Sequence, residues 1–385
     1  MPKKLAIIIT HPIQYYAPVF QLLAKQLEIK VFYTWGEKSL SKYDKGFNQH
    51  IEWDIPLLKG YDHVFLKNSA KDQGTHHFNG IVNPYLINTI QNYKPDAILV
   101  YGWAWYSHLK AIRFFKGKIP VYFRGDSNLL HKLAGIKGFL RGMFLKWVYH
   151  HVDLAFYVGS ANWAYFKAFG LKEKQLVFAP HAIDNNRFGV DRSAEAANLR
   201  NRFKVAEDEI LVLFAGKLES VKNILLLLTA FQALNLRQVH LLFVGNGHLE
   251  NSLRESLDKT SQKIHFLNFQ NQSQMPAIYQ ACDLFCLPSK KETWGLAVNE
   301  AMAAGKAILV SDKVGCAADL VNPGVNGAVF KSGDLTDLKQ NLKILTENKT
   351  KLTQMGLASQ KIIQDWSFEN QVNAIVDAIQ NKHAK

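Results

Sequence analysis

Short apolar runs alternate with longer stretches of helical periodicity along most of this chain. In the first half, Leu5–Thr10, Ile29–Thr34, Ala97–Tyr101, Val121–Arg124, Leu154–Val158 and Leu176–Ala179 read as strands, each followed by a turn and a helical stretch. The scheme then repeats with Ile210–Ala215, Val239–Val244, Lys263–Leu267, Leu284–Leu287, Ala307–Val310 and Ala328–Phe330. Continuous rather than alternating apolar runs mark strands covered on both faces, as in parallel sheets built from βαβ units. The pattern predicts an α/β protein of two Rossmann-like domains facing a central cleft. The expected boundaries are residues 1–185, a polar linker at 186–208, a second domain at 209–365 and a terminal helix at 366–385.

Length and composition fit that division. A chain of 385 residues with 48% hydrophobic positions can build two cores. No apolar run is long enough to span a bilayer. The opening strand is too short, and too soon interrupted by His11-Pro12, to serve as a signal peptide. Cys282, Cys286 and Cys316 are few, odd in number and set among apolar or small residues, so a reduced, cytoplasmic protein is expected. The net charge of +14 admits nucleic acid, an anionic membrane surface or an anionic substrate as partner. The basic residues are scattered and no nucleic-acid motif occurs. That favours an anionic substrate and a peripheral membrane contact over nucleic acid.

The densest candidate chemistry lies in Pro288–Gly305. Cys282–Leu287 reads as a buried strand and Leu296–Ala304 as a helix closed by Gly305. Glu292 then stands on the loop between them, and Glu300 about one turn inside the helix. Amides near Gly295 and Leu296 are donors at a helix N-terminus, a natural phosphate site. One carboxylate beside it can meet a sugar, and the other can chelate the vicinal hydroxyls of a ribose. The plainer alternative is two solvated glutamates.

This segment resembles the signature of the family 4 glycosyltransferases, whose fold is GT-B. Further segments are similar in order and spacing over roughly residues 180–370. Ala215-Gly-Lys217-Leu-Glu-Ser-Val-Lys222-Asn223 resembles the donor-phosphate loop, Phe243-Val-Gly245-Asn-Gly247 the glycine-rich strand end, and Ile264–Gln270 the strand meeting the nucleobase. Pro180-His-Ala-Ile-Asp184 with Phe188 is similar to the interdomain segment. The resemblance implies a retaining transferase. It would move a sugar from a UDP- or GDP-sugar to a glycan or lipid-linked glycan, as in cell-envelope polysaccharide synthesis. It also implies a C-terminal helix that packs back on the first domain. In those terms Lys217, Lys222 and the Gly295–Leu296 amides hold the diphosphate, Glu292 meets the donor sugar, Glu300 the ribose, and Phe269 and Gln270 flank the base. Two ammonium groups beyond a strand end would stabilise a departing diphosphate. No Asp-x-Asp pair occurs, and Glu207-Asp208-Glu209 reads as solvated, so no metal and no cofactor are expected.

The first half matches more loosely. His11 and Gln14, after the first strand, can contact donor phosphate or acceptor, or simply form a His-Pro turn. Arg124 can bind phosphate and Asp126 can take the acceptor proton, or the two can pair structurally. Relatives place a His near this point, whereas here His131 is five residues past Asp126. Trp103, Trp105 and Tyr15 are candidate acceptor contacts through stacking on sugar faces, or they roof the core. Asp184, beside His181, can serve simply as a helix cap. His76-His77 has no third ligand in view and reads as a mobile loop. Leu133, Ile136, Leu140, Met143, Phe144 and Trp147 form one stripe with Lys132, Lys137, Arg141 and Lys146 around it. Such a helix can rest on an anionic bilayer or be buried against the sheet.

Two other readings compete. A nicotinamide-dependent oxidoreductase would use Gly245-Asn-Gly247, but position 250 is Glu and the third glycine of the fingerprint is missing. A basic nucleic-acid-binding protein rests on charge alone.

Overall fold

The computed structural model describes residues 2–380, apart from 42, 45, 48, 131–134 and 258–262. Its strands are β1 (Lys4–Ile9), β2 (Glu28–Tyr33), the two-residue pair β3 (Tyr43–Asp44) and β4 (Gln49–His50), β5 (Asp62–Phe65), β6 (Ala97–Tyr101), β7 (Val121–Arg124), β8 (Leu154–Tyr157) and β9 (Leu176–Phe178). They continue with β10 (Ile210–Ala215), β11 (Val239–Val244), β12 (Ile264–Leu267), β13 (Leu284–Leu287), β14 (Ala307–Ser311) and β15 (Gly327–Phe330). The chain forms two compact units. One gathers Met1–Lys42, Ile55–His181 and Phe368–Lys385; the other gathers Tyr43–Asp54 and Ala182–Ser367.

The first unit holds a parallel seven-stranded sheet in the order β5-β2-β1-β6-β7-β8-β9. The second holds a parallel six-stranded sheet in the order β12-β11-β10-β13-β14-β15. The inner strands are apolar on both faces because helices cover both faces; every residue of β6, β10 and β11 is buried. The chain works outward from β1 to one side, then returns to β6 on the other. In the second unit it does the same at β10 and β13. Each reversal leaves a gap between successive loops at the strand C-termini, where open α/β sheets take ligands.

Three features depart from the sequence expectation. Strand β5 was not foreseen, because an edge strand of four residues with partly exposed side chains carries little hydrophobic signal. The expected linker at 186–208 is instead folded into the second unit as the helices Asn185–Gly189 and Ser193–Arg202. Its polar residues make structure: Asp184 accepts from the Arg187 amide at 3.0 Å, and Arg200 donates to Asp283 at 3.0 Å and to the Glu209 carbonyl at 2.6 Å. The solvated reading also fails for Glu209, which pairs with Lys263 at 2.5 Å and His240 at 3.0 Å. Burial raises its pKa, but the bond from Lys263, the Ala206 amide and the neighbouring His240 outweigh that and hold it down at about 2.

The last helix, Phe368–Gln380, lies in the first unit against the helix Ala17–Leu23. Its buried Phe368, Val372, Ile375, Val376 and Ile379 recur at helical spacing, and the Tyr122 hydroxyl donates to the Ala378 carbonyl at 3.1 Å. Residues 381–385 of the expected helix lie outside the described residues. All three cysteines are free and buried. No helix among the described residues is long and apolar enough to cross a membrane.

Candidate active site

In the second unit the site is built where β10 and β13 lie side by side. The chain leaves β10 through Gly216, then Lys217, and makes a turn at Ser220–Lys222 before the helix Ile224–Leu234. It leaves β13 through Pro288 into the loop that carries Glu292. The Lys290 amide donates to the Val221 carbonyl at 2.8 Å and sews the two loops together. As a result the Lys222 ammonium contacts the Glu292 carboxylate directly, with both side chains largely withdrawn from solvent at 20% and 18% exposure. The sequence reading assigned these two residues separate roles; the structure makes them a pair.

Past Glu292, Gly295 takes φ +104, where a side chain is strained, and opens the helix Leu296–Ala303. The Trp294 indole donates to Asn299 at 2.9 Å, and the Cys316 amide to the Trp294 carbonyl at 2.9 Å, which fixes the helix start. Glu300 is not solvated: it is buried, and the Tyr279 hydroxyl donates to its carboxylate at 2.8 Å. Gly245 has a packing reason of its own. A Cβ there would fall 2.1 Å from the Gly216 carbonyl oxygen, so the ends of β10 and β11 can approach only without one.

Lys217 has a partner that local sequence does not reveal. Asp44, 173 positions away, meets its ammonium at 2.8 Å. Partial burial raises the Asp44 pKa, but the Lys217 bond and charge, with the Phe47 and Gly46 amides, outweigh it and hold the carboxyl below its ordinary value. The Lys217 ammonium also stands 5.0 Å from the Phe47 ring centre, and Phe47 and Trp53 pack on Phe269 at 4.9 and 6.1 Å. The Phe269 amide donates to Asn246, while the Gln270 amide group turns back to the Asn268 and Phe269 carbonyls at 3.0 and 3.1 Å. Asp44, Phe47 and Trp53 thus belong to this unit and line the Lys217 and Phe269 side of its strand edge.

The first unit arranges its candidates at its own reversal, beside β1 and β6. His11 bonds Thr10 at 2.8 Å and packs edge-on to Trp35. Gln14 and Tyr15 follow on the same loop, both partly exposed. Trp105 lies against the His108 ring at 5.0 Å and donates to the Thr75 carbonyl at 3.3 Å; Trp103 packs on Phe144 at 5.5 Å. His108, which the sequence reading missed, is buried between Thr34 (2.8 Å) and the Gly102 carbonyl (2.9 Å), and burial lowers its pKa to about 4. It anchors the loop that carries both tryptophans.

The phosphate role expected of Arg124 does not fit. Its side chain is buried, and its two terminal nitrogens donate to the Ala179 and Pro180 carbonyls at 2.8 and 2.9 Å. Arg124 and Asp126 both act on Tyr16, whose pKa is raised by burial first and by the Asp126 charge second, against the Arg124 charge. Tyr16 stacks on His181, whose pKa falls to about 3 through burial and the Arg124 charge. His131 lies outside the described residues. His76 and His77 do have a third group in reach: Asp72 lies 3.0 and 3.3 Å from their Nε2 atoms.

Two parallel-sheet Rossmann-like units, with basic and acidic groups collected at the strand edge of the second, define the GT-B class of fold. Solved structures agree over nearly the whole chain. Anabaena HepE in complex with UDP and glucose superposes with a TM-score of 0.72 at 18% identity, covering 98% of this chain and 99% of that one. Sucrose-phosphate synthase from Thermosynechococcus elongatus gives 0.73 at 17% identity, covering 97% of each. Residues 195–362 match the family described as glycosyl transferases group 1. The lipopolysaccharide 1,2-N-acetylglucosaminetransferase of Salmonella typhimurium is 35% identical over 34% of this chain and 37% of its own length. The mannosylfructose-phosphate synthase of Agrobacterium fabrum is 32% identical over 37% of this chain and 34% of its own. The chain therefore spans little more than a third of the length of these two curated relatives.

Proposed function

We propose that this protein is a retaining glycosyltransferase of the family 4 type, moving a sugar from a UDP- or GDP-sugar to a glycan or lipid-linked glycan without a metal ion. The observation that carries the reading is the Lys222–Glu292 contact at the β10–β13 reversal, beside the helix that opens at Gly295. A nucleoside diphosphate brings negative charge and displaces Glu292 from Lys222. Lys222, Lys217 and the first amides of the helix Leu296–Ala303 then hold the diphosphate, and the released Glu292 faces the donor sugar. Glu300, oriented by Tyr279, accepts from the ribose hydroxyls. The Phe269–Gln270 main chain meets the base.

In the transition state the glycosidic bond lengthens and charge moves onto the diphosphate, where fixed cations stabilise it. The leaving oxygen takes the acceptor proton while the acceptor attacks the same face, which retains configuration without an enzyme nucleophile. Trp103, Trp105, Tyr15, His11 and Gln14 are the acceptor-side candidates of the first unit. The relatives support a sugar acceptor: one is named for N-acetylglucosamine transfer to lipopolysaccharide, and another for transfer to an undecaprenyl diphosphate-linked sugar.

The experiment is a thermal-shift screen against UDP, GDP, ADP, their sugars and NAD, followed by transfer assays with and without EDTA. One nucleoside diphosphate should raise the melting temperature by mass action, and product analysis should show the donor's anomeric configuration. Stabilisation by NAD alone, or activity lost in EDTA and restored by Mn²⁺, would refute the reading or its metal-free form.

A further inference from the structure

The helix Gly135–His150 turns a row of large apolar side chains to solvent. Ile136 is 79% exposed, Phe139 68%, Leu140 58%, Met143 56%, and Phe144 and Trp147 40% each. At 100° per residue they fill an arc of about 140°. Leu145, Val148 and Tyr149 point the other way and tie the second half of the helix to the core. The alternative in which the stripe lies against the sheet is therefore excluded for these residues; Lys132 and Leu133 lie outside the described ones.

The borders of the arc are basic. Lys146 flanks one side, Lys137 and Arg141 the other, all three are exposed, and the helix contains no Asp or Glu. Arg113 of the neighbouring helix Tyr106–Phe115 lies 5.1 Å over the Trp147 ring and adds a further cation. The apolar surface continues from Phe144 to Trp103, past the end of β6.

A patch of this size is seldom left bare on a soluble chain. A second copy packed face to face would set lysine and arginine borders against their own kind, with no carboxylate on the helix to pair them. An anionic bilayer has both parts of the match: an acyl boundary for the apolar arc and phosphates for the cations at its edges. We propose that this face docks the protein on anionic lipid bilayers, with the helix axis in the plane of the interface. Ile136, Phe139, Leu140 and Met143 enter below the headgroups, and Lys137, Arg141 and Lys146 reach up to the phosphates. The net charge of +14 strengthens the approach. Docking so places Trp103, an acceptor-side candidate, next to the membrane surface.

Co-sedimentation of the full chain with vesicles tests this, and needs neither donor nor acceptor, so its failure leaves the glycosyl-transfer reading standing. The wild type should bind phosphatidylcholine–phosphatidylglycerol vesicles at low salt, and less at high salt. Ile136→Ser/Phe139→Ser/Leu140→Ser should weaken partitioning by about a hundredfold, since each change removes one exposed apolar side chain from the lipid contact. Lys137→Glu/Arg141→Glu should abolish the preference over pure phosphatidylcholine. These side chains are exposed, and matching melting temperatures verify that the variants fold. No binding to anionic vesicles at low salt overturns the proposal, as does binding unchanged in the triple-serine variant. A wild-type dimer in sedimentation velocity that the same variant dissociates would overturn it in favour of self-association.

Discussion

Lys222 and Glu292 lie 70 positions apart, yet each carries the other's counter-charge. On the proposed reading, changing either one should alter both sugar transfer and a partly buried ion pair, and the two effects are separable by measurement. Glu292→Gln keeps the shape and should reduce kcat to background under saturating donor while the melting temperature barely moves. Activity near wild type would remove Glu292 from the donor contact. Lys222→Ala should cost about 3 kcal/mol of transition-state stabilisation, roughly a hundredfold in kcat/KM. It should also cost about 1 kcal/mol of stability, because Glu292 loses its partner at a site only partly screened by water. A rise in KM with kcat intact would make Lys222 a ground-state contact only. Both residues were legible in the sequence, since each stands a few positions past an apolar run. Asp44 was not: nothing near Tyr43 marks it as the partner of Lys217.

At the scale of elements, the loops that carry the site are set by close strand approach. Gly245→Ala would press a Cβ into the Gly216 carbonyl at φ +132, and should lower stability by about 1–3 kcal/mol while weakening nucleotide binding. Equal urea midpoints for the variant and wild type would show that β10 and β11 can part without cost. The nicotinamide reading had rested on Gly245-Asn-Gly247, and close packing on Gly216 gives Gly245 a structural reason of its own. The long buried strands were readable because both faces of each are covered, which leaves an unbroken apolar run. Strand β5 and the helix Ser193–Arg202 were not, because edge position and arginine hydrogen bonding supply what hydrophobicity does elsewhere. The helix Gly135–His150 was ambiguous for the opposite reason: an apolar stripe has one sequence pattern whether it faces core or solvent.

For the whole molecule, stability should depend on pH through buried neutral histidines. His108 and His181 have pKa values lowered from 6.5 to about 4 and about 3, first by burial. Below pH 6.5 the unfolded chain takes up protons that the folded first unit refuses until near pH 4 and 3. The stability these groups contribute is therefore present above about pH 6.5 and lost as pH falls. Between pH 7 and pH 5 the unfolding free energy of that unit should drop by about 2–4 kcal/mol in urea titrations. A flat profile would mean that these rings open to water. The sequence by itself determined the number and order of the long parallel strands, and it marked Lys217, Lys222, Glu292, Gly295 and Glu300, because motif and strand end lie within a few residues of each other. Tertiary structure decided the rest: that Lys222 meets Glu292, that Asp44 meets Lys217, that Arg124 is spent on main-chain carbonyls, and that an apolar helix face is left in water. The physical reason is that charge pairing and burial depend on distances across the fold, and these are set by packing between segments far apart in the chain.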